Sequence, residues 1–388
     1  MNPPVNSSTK PIGLQNVGAT CYMNAVLQCL FHVKNLTNEL FQYQYFPFMK
    51  FALSYMDVIT QLSNNSIKVA VPLCFKNVIS VNPLFRGIQA NDSKDLILYF
   101  FENIENELTL KNYICQNPKY MNRIKSIKNV ENQQLMNIIN VFENSHKSVI
   151  SDLFYGFKSN SIECLTCHQK LLNYQIFNII IFPIEIIYNS FHDKTPYKSQ
   201  TEIGRSNYYT TSNNSYGNFY NGYNNFGNDK YKTNIGYRSE FGQKKVTIYE
   251  CFDNEISDTD FNGDNQVFCN RCKKMTDSLG KNKIYSSPHV LVLILDRGKG
   301  NKFDCDVEFY ETIDIKKYVE SQNCPVKYNL ICVINHLGES SMSGHFIADC
   351  KHFDGKWYTF NDSIVSGPYS SYQKHGTPYI LFYQNSEL

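Results

Sequence analysis

Two short boxes near opposite ends of this 388-residue chain constrain its fold more than any other feature. In Gly13-Leu14-Gln15-Asn16-Val17-Gly18-Ala19-Thr20-Cys21-Tyr22-Met23-Asn24, small residues at 18–20 make a turn, and Val26, Leu27, Leu30 and Val33 follow at helical spacing. Cys21 therefore stands at a predicted helix N-terminus, where unpaired amides and the helix dipole favour thiolate and mark it as the candidate nucleophile. Ser343-Gly344-His345-Phe346 offers a base about 320 residues later. The pattern there predicts a strand from 345 to 353, a turn at Asp354-Gly355 and a second strand from 356 to 361. A thiol, an imidazole and an amide or carboxylate that fixes the imidazole tautomer can together attack a carbonyl and return the proton to a leaving amine. Asn361 and Asp362 are the candidate orienting residues. A strict two-residue hairpin pairs 353 with 356 and sets 345 opposite 364, so contact with 361 requires twist, a bulge or a looser register. Whatever the register, the fold must bring its two ends together.

Between the boxes the chain carries further signals. Asp92 reads as an N-cap with Asp95 three residues on, followed by an apolar stripe of Ile97, Phe101, Ile104 and Leu108. Cys164-Leu165-Thr166-Cys167 and Cys269-Asn270-Arg271-Cys272 have the spacing by which two thiolates grip one metal ion, and four such sulfurs complete a tetrahedral zinc site. The interval from 168 to 268 is 101 residues, far beyond a local zinc ribbon, so closure depends on the tertiary fold. The alternative is four reduced thiols without metal. His168 would compete with an already complete set. Residues 171 to 187 are expected as one long strand. A stretch rich in Asn, Tyr, Ser and Gly from about 189 to 243 has no period and few aliphatic side chains, and is read as a flexible insertion or a partner-binding segment. Order resumes at 246 to 252. The apolar run 290 to 295 predicts a buried strand, with similar strands at 330 to 335 and 379 to 383. Residues 337 to 343 form a small polar loop beside the candidate base. Gly18 and Gly344 flank nucleophile and base, which suits a narrow channel where backbone approaches an unbranched substrate end.

The first box resembles the cysteine box of the ubiquitin-specific proteases. Ser343-Gly344-His345-Phe346 together with Lys356-Trp357-Tyr358-Thr359-Phe360-Asn361-Asp362 is similar to their histidine box. The resemblance covers roughly residues 10 to 384. It implies an α+β, papain-like cysteine protease fold with a helical thumb (about 10–150), zinc-bearing β fingers (about 151–187 and 244–285) and a mixed or antiparallel β palm (about 286–384). Residues 1–9 would be a disordered tail. The implied activity is hydrolysis of the bond after the C-terminal glycine of ubiquitin. Position by position, Cys21 matches the nucleophile, His345 the base, Asn361 the third triad member, with Asp362 as a supporting acid, and Asn16 the oxyanion-hole amide. Gln89-Ala90-Asn91-Asp92-Ser93-Lys94-Asp95-Leu96 resembles the box whose acidic residues meet the basic tail of ubiquitin, although Ala90 and Asn91 replace two usual glutamines and Asp95 a usual glutamate. Asp92, Asp95 and Gly344 are thus the implied substrate-binding residues, and Cys164, Cys167, Cys269 and Cys272 the implied structural Zn2+ ligands. A protease of a ubiquitin-like modifier and a non-catalytic ubiquitin-binding module would share much of this pattern.

Composition agrees without identifying anything. A 42% hydrophobic content is enough for a sizeable core, and a net charge of +2 argues against a nucleic-acid partner. No run approaches a membrane span and the first ten residues hold no apolar signal core. Thirteen cysteines spread along the chain form no secreted disulfide framework, which points to reduced thiols in cytosol or nucleus. A monomer is expected.

Overall fold

The computed structural model describes residues 5–41, 46–89, 91–109, 133–192, 244–298, 303–338 and 344–387. The expected insertion from 193 onward, the centre of the loop before Gly344, and Ala90 lie outside them. The first half is helical: β1 (Gly13–Leu14), α1 (Cys21–His32), α2 (Lys34–Phe41), α3 (Lys50–Leu62), β2 (Val69–Ala70), α4 (Leu73–Ile79), α5 (Ser93–Thr109), α6 (Gln133–His146) and α7 (Val149–Phe154). All twelve residues of α1 are buried, so its polar members need partners inside the protein. Gln28 donates to the Ile12 carbonyl at 2.8 Å, and Asn24 reaches the Leu14 and Gln15 carbonyls at 3.3 Å. α5 begins as its sequence predicts. The Asp92 carboxylate accepts from the Lys94 N–H at 2.8 Å, and Ile97, Phe101, Ile104 and Leu108 are buried.

The second half is mostly strand. β3 (Gly156–Cys164), β4 (Lys170–Phe177), β5 (Ile180–Pro183) and α8 (Ile184–His192) precede β6 (Lys245–Thr247), α9 (Ile248–Glu255), β7 (Thr259–Phe261), β8 (Val267–Cys269), β9 (Lys274–Thr276) and β10 (Ser278–Ser286). Next come β11 (Val290–Asp296), β12 (Asp306–Glu308), β13 (Thr312–Asp314), β14 (Lys327–Leu337), β15 (His345–Lys351), β16 (Trp357–Asn361), β17 (Ile364–Tyr369) and β18 (Thr377–Asn385). β4-β3-β10-β7 form the finger sheet and β8-β9 its hairpin. The palm is ordered β17-β16-β15-β14-β18-β11-β5, with β13 on β14, and is antiparallel except for the β11–β5 pair. Helices gathered before residue 155 and strands after it make the α+β class.

Both faces of the palm are covered. Val290, Val292 and Ile294 of β11 join the core shared with α1 and α5, whereas Leu291, Leu293 and Leu295 join a second core with α8 and α9. A strand buried on both faces has no polar alternation, which is why 290–295 reads as a continuous apolar run. In β14, Tyr328 and Leu330 face the second core while Cys332 and Ile334 face the first. The switch occurs at a register shift between Leu330 and Cys332, where one extra residue reverses the alternation.

Two expectations need correction. Residues 171–187 are not one strand: β4 ends at Phe177, β5 crosses to the palm, and the chain turns helical at Ile184. Ile184 and Ile187 are buried while Ile186 is exposed, a helical spacing hidden within a short apolar run. The segment ahead of the first box is also not a loose tail as far as it is described. Val5 is fully buried, and the Thr9 carbonyl accepts from His352 Nε2 at 2.8 Å.

Helix α3 has no capping side chain of its own at Met49. The Glu107 carboxylate, from α5, accepts from the Phe51 and Ala52 N–H groups at 3.0 and 2.8 Å and takes that role. Glu107→Ala should lower unfolding stability by about 1–2 kcal/mol in urea titration, while Glu107→Gln retains part of the loss.

Candidate functional site

Cys21 opens α1 after an unusually tight turn. The Thr20 side chain occupies the N-cap position without bonding into the helix; its hydroxyl accepts from the Val17 N–H at 3.0 Å instead. Asn16 organises the rest, its Oδ1 accepting from the N–H groups of Gly18 and Thr20, each at 3.1 Å. Gly18 has φ 119° and Ala19 φ 47°. Glycine reaches that region freely, whereas Ala19 is held there at a cost on the order of 1 kcal/mol. The loop is also stitched sideways by the Gln15 N–H to the Ala70 carbonyl at 2.8 Å.

The base hairpin meets this loop. β15 and β16 pair Lys351 with Trp357 and Ala348 with Phe360, closing over a five-residue loop at 352–356. Continued, that register sets 345 opposite 363, one step looser than the strict hairpin. Position 361 is then a diagonal neighbour, within reach of long side chains. His345 Nε2 lies 2.7 Å from Asn361 Oδ1. An amide oxygen can only accept, so Nε2 is the donor in this bond, and in the neutral imidazole Nδ1 is then the acceptor nitrogen. The helix that Cys21 opens packs directly against β15, the strand that His345 opens.

Asp362 is less a partner of the histidine than a clamp between the boxes. It sits at φ 52° in the turn joining β16 and β17, where its Oδ2 is 4.0 Å from His345 Nε2. Oδ1 accepts from Asn24 Nδ2 at 2.7 Å, Oδ2 from Asn16 Nδ2 at 2.9 Å, and the backbone carbonyl from the Leu14 N–H at 2.9 Å. The approach is so close that a Cβ on Gly13 would lie 2.6 Å from the Ser363 backbone. Asn24 was not singled out from the sequence. Its signal is a carboxamide three residues after Cys21 on a helix with no exposed face.

Burial holds the Cys21 thiol above its ordinary range and the Asp362 charge adds to that; the N–H groups of Phe346, Tyr22 and Cys21 oppose it. Burial and Asp362 thus work against the thiolate that the helix terminus favours. Asp92 is held by the Tyr379 hydroxyl, 2.9 and 2.8 Å from its two oxygens, which joins the thumb to the palm. Burial raises Tyr379, and Asp92, Asp296 and Asp95 add a negative field around it. Gly344 packs against β14, where a Cβ would be 2.4 Å from His336 Nε2. Its missing side chain is thus required by the sheet itself.

At the fingertips, Cys164, Cys167, Cys269 and Cys272 converge with all four sulfurs within 4.8 Å of one another, a cluster that can hold a metal ion. The pairs 164–272 and 167–269 are 3.9 and 3.6 Å apart. The two halves are alike: His168 and Lys273 both adopt positive φ (59° and 57°) and donate their N–H at 2.8 Å to the carbonyls of Cys164 and Cys269. His168 points instead to Glu163 at 3.2 Å.

The sequence profile of the family described as ubiquitin carboxyl-terminal hydrolase matches residues 12–383. Ubiquitin carboxyl-terminal hydrolase 2 of Bos taurus and of Homo sapiens are each 24% identical over 96% of this chain and 54% of their own length. Ubiquitin carboxyl-terminal hydrolase 10 of Saccharomyces cerevisiae is 24% identical over 93% of the chain and 45% of its own. The chain thus spans about half the length of these relatives. Among solved structures, a chain of the SAGA DUB module Ubp8/Sgf11/Sus1/Sgf73 bound to monoubiquitin superposes with a TM-score of 0.66 at 20% identity, over 99% of this chain and 71% of that one. The module bound to ubiquitin aldehyde gives 0.64 at the same identity and coverage. With the profile spanning nearly its whole length and the same fold in those structures, the chain belongs to the ubiquitin carboxyl-terminal hydrolase family, among the ubiquitin-specific proteases.

Proposed function

We propose that the protein is a thiol-dependent deubiquitinase that hydrolyses the peptide or isopeptide bond after the C-terminal glycine of ubiquitin. One observation carries the reading: Asp362 holds Asn16 and Asn24, on either side of Cys21, while the adjacent Asn361 holds His345. In the reaction, sulfur attacks the glycine carbonyl as the thiol proton passes to His345 Nδ1, so a buried thiol needs no prior ionisation. The Cys21 N–H and an Asn16 amide N–H stabilise the oxyanion. His345 then protonates the departing lysine amine as the carbon–nitrogen bond breaks, leaving a thioester. Water, deprotonated by the same imidazole, attacks that thioester and releases the ubiquitin carboxylate and the thiol. Asp362 supports the base through the clamp it makes with Asn16 and Asn24. Asp92 and Asp95 give the entrance a negative rim for a basic substrate tail, and Gly344 keeps the channel wall narrow.

The fingertip cysteines fit Zn2+. Tetrahedral coordination at about 2.3 Å implies sulfur–sulfur separations of about 3.8 Å, close to the 3.6 and 3.9 Å of the two bonded pairs. Zinc there would supply structural cross-linking, remote from the Cys21 site. Ubiquitin and ubiquitin-conjugated proteins are the proposed partners, with no nucleic acid or membrane surface, in cytosol or nucleus. Among the described residues, no helix is long and apolar enough to cross a membrane.

Cys21→Ala should abolish cleavage of a ubiquitin C-terminal fluorogenic amide while ubiquitin binding survives, and a panel of modifier-derived active-site probes should label Cys21 with the ubiquitin form best. Turnover by that variant, or failure of every probe to label the wild type, would return the protein to a binding role. Asn361→Ala should reduce kcat/KM by about 10- to 100-fold at unchanged melting temperature. Asp362→Ala should lower both melting temperature and activity. The reverse ranking of the two in kcat would make Asp362 the orienting group. Metal analysis should find one zinc per chain, and chelation should lower the melting temperature before activity falls.

A further inference from the structure

A second sulfur cluster lies outside everything the proposed reaction uses. Cys29 of α1, Cys332 of β14 and Cys350 of β15 are each fully buried, and their three Sγ atoms lie within 4.8 Å of one another. Cys332 and Cys350 are register partners on adjacent strands, so their side chains share one face of the palm. The register shift after Leu330 is what turns Cys332 toward α1, where its sulfur lies 3.8 Å from the Cys29 carbonyl. Ala348, Ile334 and Phe360 belong to the same core, and among the described residues no His, Asp or Glu ligand atom joins the three sulfurs. Asp349, next in sequence to Cys350, is engaged by Asn335, Thr359 and His375.

Charge balance selects what such a site can take. Three thiolates around Zn2+ leave a net charge of −1 and around Cu+ a net charge of −2, each costly in an apolar core and further opposed by the nearby Asp349 carboxylate. A trivalent centre cancels three thiolates completely. We infer that Cys29, Cys332 and Cys350 form a binding site for trivalent arsenic, entering as uncharged arsenous acid. Three S–H and three As–O bonds break, three As–S and three O–H bonds form, and three waters leave; arsenic stays trivalent and no buried charge is created. The product ties α1 to two palm strands. Cys29 lies eight residues beyond Cys21, about 12 Å along the helix, so the reacting sulfur stays outside the complex.

The test uses the zinc-loaded Cys21→Ala protein, so that the active-site thiol cannot contribute, with sodium arsenite as the probe and intact native mass as the readout. One arsenic per chain with loss of three hydrogens is expected, with zinc content unchanged. Cys332→Ala and, as a companion, Cys350→Ser should each weaken binding by at least about tenfold, with folding checked by circular dichroism. No mass gain, a gain that persists in both folded variants, or arsenic that arrives only as zinc departs would each overturn the assignment. Because the readout is mass in a protein without Cys21, its failure and a failure of the deubiquitinase reading are separate events.

Discussion

A single carboxylate holds the functional architecture together. Asp362 receives two side-chain amides and one backbone N–H from the opposite end of the chain, across 338 to 348 positions of sequence. The two amides meet its carboxylate oxygens and the backbone N–H meets its carbonyl, so all three converge on one residue at the tip of a turn. The turn presents Asp362 because Asn361 and Ile364 pair directly, leaving two residues to reverse the chain. Everything that brings sulfur and imidazole together depends on the loop and the hairpin staying joined at this point.

The palm sheet supplies the rigidity behind that joint. With both faces buried, its central strands cannot slip by a residue without exchanging one core for the other. β14 uses this property deliberately at its register shift, serving the second core before Leu330 and the first after Cys332. The thumb is secured separately, by Tyr379 on Asp92, so that α5 is capped and docked by the same aspartate. Cap and dock at one residue mean that the cleft between thumb and palm is set where the helix begins.

Much of this was legible in the amino-acid sequence, and what escaped it has a common cause. Cys21 at a helix start, His345 at a strand start, the capped α5, the buried 290–295 strand and the paired cysteines are local patterns with local physics, and the structure places each on its expected element. The hairpin register was open because it depends on the length of the connecting loop, and five residues at 352–356 shift it by one. The break at 184 was missed because the four-residue strand and the first turn of the helix are apolar apart from Glu185, too short a stretch to tell the two periods apart. The forces that oppose the helix terminus at Cys21, burial and the Asp362 charge, escaped the sequence because they are tertiary facts. Asn24 and Tyr379 owe their importance to partners 338 and 287 positions away.

The segment ahead of the first box has a consequence for how small this protein can be made. Val5 plugs the core beneath α1, and Thr9 offers its carbonyl to the imidazole of His352, which in turn contacts His32 at the foot of that helix. Those few residues brace the bend of the very hairpin that carries His345. A minimal autonomous unit must therefore begin upstream of the motif that announces it, and trimming to the motif's edge would remove a strut from the far side of the candidate site.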